Sequence, residues 1–432
     1  MIERSYIVYV MVYVMGVNQQ DTIAVIGAGI IGSAVALGLA REGRRVVLID
    51  RAEPGVAGAS FGNVGHIAAE LVQPLPSPAL LFGFWRELVR FGGVLDLPPR
   101  QALRMLPWIG RFSLAAFRRA QHTLELAPLV LPASQTWANW LQAINRPELL
   151  RRHGHYEIGL GERSTGVMRI QAAAMARLGV RTAPLSARQL AALQGATGAR
   201  VAAGLWFEAS AHLTDPLDAV QAFVHAATER GALVLRSEVR ALQPRGEKIE
   251  IQEAAGSRLV DAVIVCAGMG SQALLAPFGL HAPLQSVRGY HIEMPGQSPY
   301  FDAPVLHTNE HVLVTPMAGR LRASSDMEFA AEDAPADEDK PARLRRKVRA
   351  LGYACDEGGP SWVGSRPVLP DYLPGIGRAP GPAKLFYAVG HQHIGLTLAP
   401  VTAELIADLV AVRPPRLPLA AFDLRRFGSP SN

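Results

Sequence analysis

Apolar and polar positions near the start of the chain alternate between the two regular periods. Thr22–Ile26 (TIAVI) is a continuous apolar run, as expected for a strand buried on both faces of a parallel sheet. A small glycine turn follows, then an apolar helix through about Glu42 and a second strand, Arg45–Ile49, ending at Asp50. Residues 100–145 read as helical and are rich in Leu, Ala, Arg and Trp. Prolines at 98, 99, 107, 128, 132 and 147 cut that region into short segments. Helices are predicted over Gly166–Gly179 and Pro216–Gly231. A strand–turn–strand unit is predicted over Leu233–Leu242 and Lys248–Gln252, followed by an apolar strand, Asp261–Cys266. Strand-like runs at Tyr290–Met294, His311–Pro316 and Leu321–Ala323 predict an antiparallel sheet over 286–330. Ala331–Arg349 is acidic and then basic, with Leu344, Val348 and Leu351 at helical spacing, and reads as a solvated helix. The last unit is a strand, Leu385–Val389, a glycine loop, and a helix from about Pro400 to Val412.

Length and composition narrow the class. A chain of 432 residues suggests two or three domains. With 49% hydrophobic and 19% charged residues it can build a large core, which excludes disordered and collagen-like classes. Two cysteines, Cys266 and Cys355, leave no disulfide framework and no Cys-rich metal site, and suit a reducing compartment. The net charge of +6 comes with arginines spread along the chain, not clustered, so no nucleic-acid footprint is expected. No run reaches 18 apolar residues. The expected location is the cytoplasm, with membrane contact at most peripheral and on the inner face. Residues 1–20 read as an extra N-terminal segment. Its apolar run, Met1–Gly16, lacks a net-basic start and a small-residue cleavage site.

Three glycine-rich loops carry the chemistry. Gly27-Ala28-Gly29-Ile30-Ile31-Gly32 fits G-x-G-x-x-G between a predicted strand and a predicted helix. Gly27 permits the tight turn, Gly29 lets a pyrophosphate approach, and Gly32 allows close helix–strand packing. The helix N-terminus offers unpaired amides and the positive dipole end. Asp50, at the end of the second strand with Arg51 behind it, suits a ribose hydroxyl and disfavours a 2′-phosphate. This fingerprint does not separate NAD from FAD. The second loop, Gly58–His66 (GASFGNVGH), is small and flat enough to run along a ligand, with Ala59, Ser60, Asn63, Gly65 and His66 as candidates. The third is Val389–Pro400 (VGHQHIGLTLAP), with Gly390, His391, His393, Gly395, Leu396 and Thr397. Its helix N-terminus suits a flavin pyrimidine edge, which gathers negative charge on reduction. An NAD-dependent dehydrogenase explains neither of these two loops.

Together GAGIIG, GASFGNVGH, WVGSRPVLPDYLPGIG (362–377) and GHQHIGLTLAPVTAELIADL resemble the FAD-dependent D-amino acid oxidase superfamily, nearest its bacterial D-amino acid dehydrogenase branch, which includes D-hydroxyproline dehydrogenases. The resemblance runs from about Asp21 to Leu424. It implies an α/β fold with a discontinuous Rossmann-like FAD-binding domain (21–76, 200–284 and 362–427) and an α+β substrate domain with an antiparallel sheet (77–199 and 285–361). It adds Val239, Ala267 and Gly268 as cofactor contacts. It also implies oxidative deamination of a D-amino acid, with electrons passing to a quinone or an electron-transfer partner. Alternatives are an oxygen-using glycine or sarcosine oxidase, or the catalytic subunit of a heteromeric amine dehydrogenase.

The resemblance points to Arg366 as the residue holding the substrate carboxylate, and a guanidinium fork matches a carboxylate bidentately. Related oxidases carry Arg where His393 stands. Tyr290, His307 and His311 each either line the pocket or pack structurally. No metal-ligand spacing, H-E-x-x-H, G-x-S-x-G or Cys–His pairing is present, so no metal is expected.

Overall fold

The computed structural model describes residues 21–82, 95–96, 103–161, 163–197, 201–296, 301–332 and 334–428. The N-terminal segment 1–20 lies outside them. Two sheets organise the described residues.

The first sheet has the strand order Leu233–Arg236, Arg45–Asp50, Thr22–Ile26, Ala262–Val265, Lys384–Val389, with Gly375–Arg378 at the edge. All pairs are parallel except the edge pair. The inner strands Thr22–Ile26, Arg45–Asp50 and Ala262–Val265 are apolar between their ends because helices cover one face and a three-stranded antiparallel sheet, Val239–Val260, covers the other. Helix Ile30–Arg41 packs against helix Gly395–Val410. The latter is long and apolar, and nearly all of it is buried in the core.

That helix starts at Gly395, five residues before the predicted Pro400, and Pro400 sits inside it. A proline there removes the amide that would bond the Leu396 carbonyl. Trp137 Nε1 donates to that carbonyl instead, at 2.9 Å, so the helix continues with its acceptor satisfied.

The second sheet has nine strands. Its path is Ser361–Val368, Gln285–Pro295, Arg320–Phe329, Val312–Met317, Val305–His307, His155–Leu160, Val201–Phe207 and Thr182–Pro184, with Leu95–Asp96 alongside Arg320–Phe329. Its 285–329 part is antiparallel, as the alternation predicts. Segments 201–207 and 361–368, expected in the cofactor half, hydrogen-bond into this sheet instead. The pairing is long-range, Ser361–Val368 with Gln285–Ile292 and Val201–Phe207 with His155–Leu160, and local sequence does not specify it.

Candidate functional site

The first glycine loop is shaped by contacts that exclude side chains. Gly27 has φ +101°, and a Cβ there would strike the Cys266 carbonyl. A Cβ on Gly32 would strike the Gly27 carbonyl, so Gly32 is the packing glycine and does not line the cavity. Neighbours brace the loop. Asp50 Oδ2 accepts from the Ala28 amide at 2.6 Å, and Oδ1 accepts from the Ala52 amide at 2.9 Å. Ser60 Oγ accepts from the Ile30 amide at 3.0 Å. The first-turn amides of helix Ile30–Arg41 have no intrahelical acceptors, and this end of the helix faces the cavity.

The second loop is held by the large sheet. His291 Nδ1 donates to the Gly62 carbonyl at 2.9 Å, and the Arg322 guanidinium donates to the Asn63 carbonyl. Asn63 Oδ1 accepts from the Gly65 amide at 2.9 Å, which makes Gly65 a turn residue (φ +75°) outside the cavity lining. Trp362 stacks on His291 and covers Gly62 so closely that a Cβ there would collide with the indole.

Between the two sheets lies a cavity of about 890 Å³. Gly27, Gly29, Ile30, Ile31, Asp50, Arg51, Ala59, Ser60, Asn63, His66, Val239, Ala267, Gly268, Gly390, His391, Gly395 and Leu396 all border it. Arg366 and His393 border it as well, together with Leu306, His311, Leu313, Ser324, Met327 and Trp362 from the large sheet. Thr397 lies outside: its hydroxyl accepts from the Ala68 amide at 3.0 Å and ties the second and third loops together.

Arg366 reaches across strand Gln285–Pro295 and lies over Gly289, where a Cβ would collide with its guanidinium. It makes no ion pair or hydrogen bond among the described residues, and burial lowers its pKa from the usual arginine value. It remains a cation. His393 is open to the cavity but deep in the molecule. That depth, with the Arg366 charge, brings its pKa down to about 4, so it is neutral near pH 7. Behind both stands Tyr372, its ring 6.2 Å from that of His393 and its hydroxyl buried without a partner. His391 is neutral too, its pKa lowered to about 3 by burial, with Nε2 3.1 Å from Thr402 Oγ1.

His66 borders a polar cluster that the sequence does not announce. Its Nε2 lies 3.3 Å from Glu70 Oε1, and its ring centroid is 4.4 Å from that of His155. Ser210 Oγ donates to Glu70 at 2.5 Å, and Glu157 stands 3.8 Å from His155 Nε2. Burial opposes charge on His155, but the carboxylates of Glu157 and Glu70 outweigh it and raise its pKa. His66, desolvated and facing His155, has its pKa lowered well below the usual value. The two imidazoles are thus pushed in opposite directions, His155 toward the charged form and His66 toward the neutral one, against the cavity wall. The ligating atoms of His66, Glu70 and His155 lie within 4.8 Å of one another, a convergence no local spacing revealed.

Two candidates are corrected. Tyr290 does not line the cavity. It is buried on the opposite face of its strand, donating to Glu328 at 2.8 Å beside Arg288 and Lys340. His307 is likewise buried, 2.8 Å from the Tyr353 hydroxyl. Both errors are errors of strand parity: Leu306 and Gly289, one residue away, face the site. Trp362 and Tyr372 were missed although both sit in the 362–377 motif. Glu70, His155, Ser237, Glu238 and Arg240 carried no local signal.

A family model described as DAO, FAD dependent oxidoreductase, matches residues 22–409. A D-amino acid dehydrogenase 2 of Ralstonia nicotianae is 30% identical, with 94% of this chain and 100% of that protein covered. A D-amino-acid oxidase of Bradyrhizobium diazoefficiens is 29% identical over 94% and 98%. Among solved structures, glycine oxidase from Geobacillus kaustophilus superimposes with a TM-score of 0.73 at 20% identity, covering 94% of this chain and 99% of that one. That likeness speaks for the fold. The chain belongs to the DAO family of FAD-dependent oxidoreductases.

Proposed function

We propose that this protein is a D-amino acid dehydrogenase that removes the Cα hydrogen of its substrate and passes the electrons to a respiratory acceptor. The carrying observation is the Arg366 guanidinium, open to the cavity and without an anionic partner among the described residues. Similarity to proteins named D-amino acid dehydrogenase and D-amino-acid oxidase supports the substrate class.

The cavity has the size and shape for an extended dinucleotide: a glycine cradle that side chains would fill, adjoining a cleft of flavin-sized volume. In this reading Gly27, Gly29, Ile30 and Ile31 hold the pyrophosphate, and Asp50 and Arg51 the adjoining ribose. Val239, Ala267 and Gly268 flank the adenosine. Ala59, Ser60, Asn63 and His66 line the flavin, and Gly390, His391, Gly395 and Leu396 its pyrimidine edge. Gly32, Gly65 and Thr397 shape the cradle from behind. The sheet built on Thr22–Ile26 forms the cofactor half and the nine-stranded sheet the substrate half.

When bound, FAD supplies a two-electron acceptor for the hydride. Arg366 binds the substrate carboxylate as a fork and fixes the orientation of Cα. Neutral His393 contributes a hydrogen bond without adding a second charge. Leu306, Leu313, Met327 and Trp362 give the substrate side chain an apolar wall and exclude water. The amine gives up its proton to solvent before reaction, so no side-chain base is required. The imino acid leaves and hydrolyses to a 2-oxo acid and ammonia.

Anaerobic titration of the yellow holoprotein tests the proposal. D-amino or D-imino acids bleach the flavin absorbance, their L-enantiomers do not, and recolouring in air is slow. Bleaching by glycine or sarcosine with fast recolouring would move the reading to an oxygen-using oxidase.

A further inference from the structure

Helix Leu106–Ala116 is apolar on two opposite faces. Its inner face, with Met105 just before it, buries Trp108 and Phe112 against Phe329, Val368 and Tyr372. Its outer face presents Leu106 (58% exposed), Leu114 (69%) and the C-cap Phe117 (71%), with Leu103 (72%) one turn ahead. At 100° per residue Leu106, Leu114 and Phe117 fall within an arc of about 80°. The following helix, Arg119–Val130, adds Leu124 at 75% exposure. Single exposed leucines are ordinary, but a row of this kind marks an interaction surface.

From Leu103 to Arg119 every charged residue is an arginine, and the nearest carboxylate in sequence is Glu125, beside Leu124 on the following helix. Arg104 and Arg118 are exposed at its two ends, and their guanidinium groups make no hydrogen bond or ion pair among the described residues. In a two-fold contact with a second copy these arginines would gather in a water-poor interface without carboxylates in the row to answer them. Anionic headgroups complement them, and an acyl boundary accepts the leucines.

We propose that this face seats the protein on an anionic lipid bilayer, with Leu103, Leu106, Leu114 and Phe117 entering the headgroup–acyl boundary and Arg104 and Arg118 on lipid phosphates. The ring of Phe112 lies 5.8 Å from that of Tyr372, and the Tyr372 ring lies 6.2 Å from that of His393, so a chain of rings links the inner face of the helix to the wall behind Arg366. Lipid binding itself does not depend on the catalytic reading.

The test is co-sedimentation of the full-length, FAD-loaded protein with vesicles of phosphatidylcholine, alone or with about one-third phosphatidylglycerol. The wild type is expected to partition at least tenfold more strongly onto the anionic vesicles. Two double variants, Leu106→Glu with Leu114→Glu and Arg104→Glu with Arg118→Glu, are each expected to lose at least tenfold, with melting temperature and dye-linked turnover unchanged. Because both retain residues 1–20, binding through that apolar segment cancels in the comparison. Variants that bind like the wild type overturn the proposal, as does a wild type that ignores anionic vesicles. A wild-type dimer in light scattering that the leucine variant converts to monomer also overturns it, by making the face a self-interface.

Discussion

The guanidinium of Arg366 lies directly over the backbone of Gly289, and a single methyl group at position 289 would displace it. Two strands set this relation: Arg366 pairs opposite Val287, and its side chain leans along the strand onto the one residue that has no side chain. Arg366→Ala is expected to raise KM for carboxylate substrates about 100-fold or more, the scale of losing a charge-assisted fork, with FAD retained. Arg366→Lys falls between, because an ammonium cannot bond bidentately. Gly289→Ala should reproduce most of the KM defect with an unchanged flavin spectrum. A normal KM in Gly289→Ala would show that the guanidinium tolerates displacement.

Asp50 braces the first glycine loop. Its two carboxylate oxygens hold the amides of Ala28 and Ala52. Asp50→Ala is expected to weaken FAD binding by about 10- to 100-fold, since each hydrogen bond to a charged group is worth about 1.5–3 kcal/mol. Titration of the apoprotein by flavin fluorescence reads this directly. Asp50→Asn retains one acceptor and should lie between the two.

Burial lowers the pKa of His307 to about 4, below the 6.5 of an unfolded histidine. The sign follows from linkage. The unfolded chain binds a proton between pH 6.5 and 4 and the native state does not. Stability from this residue is therefore complete above about pH 6.5 and is lost as pH falls toward 4. Each such proton contributes a slope of about 1.4 kcal/mol per pH unit. His307→Gln should flatten the stability–pH curve in that window by about one proton, measured by urea unfolding at a series of pH values. An unchanged slope would show that His307 is protonated in the native state.

Trp137 satisfies the carbonyl that Pro400 leaves open. Trp137→Phe keeps most of the apolar packing on Phe223 and removes only the donor. The expected cost is about 1–3 kcal/mol, that of a buried acceptor left unpaired. Pro400→Ala in the same background restores an amide for Leu396, and should recover part of the loss in thermal unfolding.

The glycine loops and the first sheet were legible in the amino-acid sequence for a common reason, whereas Arg366 was pointed to by the family resemblance. Gly27, Gly29 and Gly32 act through local backbone conformation and short-range packing, and a strand–loop–helix–strand unit is written in consecutive residues. The errors at Tyr290 and His307 arise where that locality ends. A strand's composition does not say which of its two faces meets the cofactor side, and a shift of one residue exchanges the faces completely. Tertiary structure alone decided that Leu306 borders the cavity and Gly289 lies under Arg366 while Tyr290 and His307 turn away. It alone gathered His66, Glu70 and His155 from two segments some ninety residues apart, because their attraction depends on burial and on charge at a few ångströms. The sequence by itself determined the backbone that can cradle a dinucleotide. The packing of one sheet against another decided which side chains face it.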